Sequence, residues 1–145
     1  MMPMLTPTMH WAHPLIGTPW TPERNCWWLV CHYFAARHGV QMPALALGAA
    51  AGGEDNVAAI LRAAQASGWR PAQGLAREDD VVLMRGPLGR RHVGVMVEAN
   101  GLVGVLHSDG CVTPRGPRGN VVFQSLADAA ADGYGDHEFW RRARP

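Results

Sequence analysis

The spacing of apolar positions changes period once along the chain. From Cys26 onward, Leu29, Val30, Tyr33 and Phe34 follow at helical intervals, and Arg37, His38 and Gly39 come next. That stripe predicts an amphipathic helix with a carboxyl-terminal stop at Gly39. Two starts fit it. Thr21-Pro22-Glu23 offers Thr as the N-cap and Pro in the first turn, whereas Asn25 as N-cap places Cys26 at the first helical position. A second helix is expected over Glu54 to Ser67, where Val57, Ile60, Leu61 and Ala64 share a face and Gly68 ends the run. From Asp80 the period falls to two. Val81 to Met84 reads as a short strand, and Gly86-Pro87-Leu88-Gly89 as a turn. Val93, Val95 and Val97 then alternate with His92, Gly94 and Met96. Asn100-Gly101 is a hairpin turn signal, and Leu102 to His107 is the returning strand. Val112-Thr113 and Val121 to Phe123 read as further short strands, Ser125 to Ala131 as a small helical turn, and Phe139 to Arg144 as a closing edge strand. Helices followed by antiparallel hairpins define an α+β fold.

Composition narrows the class. A chain of 145 residues, 48% of them hydrophobic, suits one domain spanning residues 1–145. Pro3, Pro7, Pro14 and Pro19 make residues 1–20 an irregular segment. Thirteen basic residues, all arginine, face 12 acids, so a net charge of +1 provides no field for nucleic acid or an anionic membrane. No apolar run reaches the roughly 18 residues of a membrane span. Met1 to His13 has neither a basic opening nor an apolar core, so synthesis in the cytoplasm without an export signal is expected. Cys26, Cys31 and Cys111 have no C-x-x-C spacing, which argues for free thiols over a disulfide framework or a zinc site. His10 and His13 have metal-like spacing but lie in a proline-broken stretch with no third ligand near. Neither a metal nor a cofactor is expected.

The hairpin carries a candidate site. With Asn100 and Gly101 in the turn, Ala99 faces Leu102 and Gly94 faces His107. His92 and His107 then share a sheet face as diagonal neighbours roughly 7–8 Å apart. Gly94 between them leaves space. A slip of one residue would place the imidazoles on opposite faces. Cys26, in the first turn of its helix, would feel the dipole and the unpaired N–H groups, and both favour thiolate. A nucleophile on a helix, with a base and an orienting residue on a sheet, is the papain-type arrangement. The plain alternative is a Cys26 that packs in the core. Cys31 and Cys111 read as structural.

Five strings in order, Gly17-Thr18-Pro19-Trp20, Asn25-Cys26-Trp27-Trp28-Leu29-Val30, Asp80-Val81-Val82-Leu83-Met84, His92-Val93-Gly94-Val95 and Val105-Leu106-His107-Ser108, resemble the NlpC/P60 cysteine peptidases. The resemblance runs from about Leu15 to Arg142, and its Cys-Trp-x-Leu-Val form is most similar to the branch of bacteriophage tail tips and gene transfer agents. It implies a compact papain-like domain that cleaves peptides of bacterial peptidoglycan, commonly at the γ-D-glutamyl to diamino acid bond. Cys26 would be the nucleophile, His92 the base and His107 the residue orienting it. The partners implied are stem peptides and other tail-tip proteins, and the destination is the virion tail. Trp20 stands where many members place a Tyr near the oxyanion, which makes it a substrate-side residue. Trp28 stands where a Gly is expected. An inactive tail-assembly module of the same fold, its cleft filled by Trp27 and Trp28, and an interbacterial amidase toxin are the alternatives.

Overall fold

The computed structural model describes residues 12–41, 68–99 and 101–143. The helix expected over Glu54 to Ser67 and the metal-spaced His10 lie outside them. Helix α1 spans Cys26–His38. Of the two candidate starts, Asn25 is the one used: its side-chain oxygen accepts from the Trp28 N–H at 3.1 Å. Thr21 instead closes a turn before the helix, its hydroxyl accepting from the Arg24 N–H at 2.9 Å. Gly39 ends α1 in the left-handed conformation (φ +65°), as the stop signal required.

Among the described residues, six strands form one antiparallel sheet: β1 (Trp69–Pro71), β2 (Val81–Arg85), β3 (Arg91–Ala99), β4 (Leu102–Thr113), β5 (Gly116–Gln124) and β6 (Gly135–Arg142). Their order across the sheet is β1-β6-β2-β3-β4-β5. A short helix, α2 (Leu126–Ala131), precedes β6 and is capped by Ser125 through the Asp128 N–H at 3.0 Å. The β3–β4 hairpin has the expected register, from Ala99 opposite Leu102 to Val95 opposite Leu106.

Two expectations are corrected, and one strand was not expected. Val112-Thr113 is no separate strand, because β4 runs without a break from Leu102 through Thr113 and pairs with β5 from Val105 onward. Phe139 to Arg144 is not an edge. Strand β6 lies inside the sheet between β1 and β2, and the edges are β1 and β5. Strand β1 has no counterpart among the expected elements.

The sheet separates two apolar layers. Val93, Val95, Val97, Leu106 and Val121 pack with Trp27, Leu29, Val30, Tyr33 and Phe34 of α1. The alternate positions, including Met96 and Val105, pack with Met84, Ala129 of α2 and Tyr134. The carboxyl end of α1 is tied to the loop before β2. Tyr33 donates to Asp79 and Arg37 donates to Glu78, both at 2.7 Å, and His38 lies 3.0 Å from Asp79. Beside them Arg141 pairs with the buried Asp80 at 2.7 Å.

Candidate active site

His92 stands near the start of β3 and His107 in the middle of β4, both on the face turned away from α1. His92 lies opposite Met84, and Gly94 lies beside His107. His92 Nε2 and His107 Nδ1 are 2.8 Å apart, a hydrogen bond between the two rings. Gly94 is what permits this. A Cβ there would come within 2.7 Å of Val105 Cγ2, 2.9 Å of the Leu106 carbonyl oxygen and 3.0 Å of His107 Cβ. With Nε2 of His92 committed to His107, Nδ1 is the nitrogen left for a reacting group.

Cys26 approaches from the other layer. The β3–β4 pairing ends at Val95 and Leu106, and the Met96 N–H points toward β2, to the Asp80 carbonyl at 2.7 Å. By alternation the Val93 N–H points to the β4 side, past the end of that ladder. It meets the Cys26 sulfur there. The Val93 N–H thus acts on the thiol of the nucleophile candidate from the residue that follows His92, where strands β3 and β4 stop pairing. The N–H groups of Trp27 and of Cys26 itself also face the sulfur, as the first turn of a helix provides.

The charge state differs from the one expected. Burial pushes the Cys26 thiol above its ordinary range and outweighs the three N–H groups that lower it. Burial, with His107 beside it, pushes His92 down to about 3. Burial lowers His107 as well, against the upward pull of Gln124, Asp109 and Asp132. At neutral pH the resting pair is therefore a thiol and a neutral imidazole. Desolvation, which the helix-terminus argument omits, is the larger effect here.

Further residues, for which the sequence pattern raised no expectation, complete the site. The Tyr134 ring lies 4.5 Å from the ring of His92 and 4.9 Å from that of His107, centroid to centroid. Its hydroxyl donates to Asp109, and burial raises its pKa, so it remains a neutral wall. His107 Nε2 lies 2.8 Å from Gln124 Oε1, and Gln124 Nε2 donates to Asp132 at 2.5 Å. Register held a signal for Gln124: Val122 lies opposite His107, so Gln124 is its diagonal neighbour on the same face. Tyr134, beyond α2, left no such local signal.

Trp20 packs on the backbone of Gly110, next to Asp109, where a Cβ would collide with the Cβ and Cγ of the tryptophan. That places it on the strand that carries His107, three residues along. Trp27 and Trp28 do not cover the imidazoles. Trp27 is buried beneath the sheet, and Trp28 stacks on His32 with centroids 4.9 Å apart and Arg24 over its ring. Cys31 packs beside the α1 core with its thiol pushed up to about 11, whereas Cys111 is exposed on β4 and fills no core position. Among the described residues, no three His, Cys, Asp or Glu side chains group to hold a metal, and no helix is long and apolar enough to cross a membrane. The chain matches no protein-family model and no curated protein.

Proposed function

We propose that this chain is a papain-like cysteine hydrolase of the NlpC/P60 type that cleaves peptide bonds in bacterial peptidoglycan, working at a phage or prophage tail tip. The observation that carries the chemistry is the meeting of the Cys26 sulfur with β3 at Val93, one residue from an imidazole hydrogen-bonded to a second imidazole at 2.8 Å. The substrate class and the tail-tip setting rest on the five ordered strings. In this reading His92 Nδ1 takes the thiol proton as sulfur attacks the peptide carbonyl. The oxyanion that forms is met by backbone N–H groups at the start of α1. His92 returns the proton to the departing amine, and water then hydrolyses the thioester. Because the resting pair is neutral, proton transfer accompanies attack and does not precede it.

The test is incubation of the purified chain with muropeptides, with products read by mass spectrometry. Scission at the γ-D-glutamyl to diamino acid bond is expected. Cys26→Ser should lower the rate by at least about a thousandfold and leave the melting temperature in place. Wild-type protein that folds, and whose Cys26 is labelled by iodoacetamide no faster than Cys31, yet leaves muropeptides whole, overturns the proposal.

A further inference from the structure

Four side chains, His92, His107, Gln124 and Asp132, stand in series, and their hydrogen-bonding capacities leave little freedom. A carboxylate such as that of Asp132 is acceptor-only. The Gln124 amide therefore turns its NH2 to Asp132, 2.5 Å away, and its carbonyl oxygen to His107 Nε2, 2.8 Å away. An oxygen at that position requires a proton on His107 Nε2. A neutral His107 is then bare at Nδ1, so it accepts from His92 Nε2–H across the 2.8 Å contact. That leaves His92 Nδ1 bare as well.

The geometry points to Gln124 and Asp132 as positioning residues, which fix the tautomers of His107 and His92 so that His92 keeps Nδ1 bare, the nitrogen to which the hydrolase reading assigns the Cys26 proton. This rests on the hydrolase reading for its catalytic consequence, but not for its tautomer content. The burial that holds both imidazoles neutral is consistent with it, since only neutral rings have tautomers to fix. Asp132 is an exposed residue at the end of α2, and its backbone N–H donates to the Asp128 carbonyl at 3.0 Å whatever its side chain. Substitution there changes the relay without removing a core contact.

The experiment is nitrogen-15 NMR of the histidine ring nitrogens in the full chain at pH 7, alongside muropeptide kinetics. Wild type should show both His92 and His107 protonated at Nε2 and bare at Nδ1. Asp132→Asn allows the Gln124 amide to turn over, and Gln124→Met removes the acceptor. Each should introduce a second His107 tautomer and lower kcat about tenfold at unchanged KM, with the melting temperature kept. Asp132→Glu should keep the wild-type spectrum. A wild-type spectrum with His92 protonated at Nδ1, or variants that retain both the tautomers and kcat, overturns the inference. Correct tautomers in a chain that cleaves no muropeptide would instead strike the hydrolase reading alone.

Discussion

The two faces of the sheet use the same strands for opposite ends. On the α1 face, Val93, Val95, Val97 and Leu106 meet Phe34, Leu29 and Val30 in an apolar layer. On the other face, alternate residues of the same strands bring His92, His107 and Gln124 together under Tyr134. The first face stabilises by removing hydrocarbon from water. The second buries imidazoles at a cost, offset by hydrogen bonds made in series. Apolar packing and the imidazole pair are thus assigned to opposite faces of the same sheet, and Cys26 acts on both, at the Val93 N–H and at Tyr134.

The largest expected effect is on the apolar side. Phe34 is fully buried and packs edge-on against Trp69, ring centroids 5.2 Å apart. Phe34→Ala should cost about 3–5 kcal/mol in urea unfolding, while the folded fraction keeps its histidine tautomers. A change in the ring-nitrogen spectrum of the folded protein would show that the faces are not independent.

Next comes pH, acting through His92 on the polar face. The folded-state pKa of His92 is depressed to about 3, so the unfolded chain binds protons more readily. Its contribution is complete above roughly 6.5, the unfolded value, and is lost as pH falls toward the folded one. Unfolding free energy should drop by about 3 kcal/mol between pH 7 and pH 4, at about 1.4 kcal/mol per unit. His92→Gln should reduce that slope and leave the part due to His107, which burial also lowers. An unchanged slope in the variant would assign the acid sensitivity elsewhere.

Gly94 lies where backbone packing and the imidazole pair are most tightly joined. In Gly94→Ala the new methyl meets the Leu106 carbonyl oxygen, part of the backbone, as well as Val105 and His107. A cost of about 1–3 kcal/mol is expected, together with displacement of His107 from His92. Muropeptide cleavage should fall further than stability explains, and parallel losses would show that the glycine serves packing alone.

Legibility followed the range of the interactions. Asn25, α1 and the Asn100-Gly101 register are set within a few residues, and so the turn and the count along its two strands suffice to place His92 and His107 on one face. Strand β1, three residues long, exists through its pairing with β6, some 70 positions away. The same long-range pairing turns the expected edge strand into an interior one. Strand β4 looks broken at Asp109-Gly110 because the glycine suits the close approach of Trp20 and leaves no apolar alternation to follow. That apparent break also hides Gln124 as the neighbour of His107. The neutral charge state was out of reach for a different reason: it depends on how deeply the groups are buried, which local spacing does not reveal.

The smallest expected effect is at Asn25, the cap of α1. Its side chain satisfies the Trp28 N–H, and Cys26 follows directly. Asn25→Ala leaves that donor unpaired and should cost about 1 kcal/mol in thermal or urea unfolding, the usual value of an N-cap. Asn25→Asp should keep the cap and most of the stability. The more telling readout is the alkylation rate of Cys26 by iodoacetamide. Fraying of the first turn in Asn25→Ala loosens the contact with Val93 and exposes the sulfur, so labelling should quicken several-fold more than in Asn25→Asp. Equal labelling of the two variants would mean that β3, not the helix cap, holds the thiol in place.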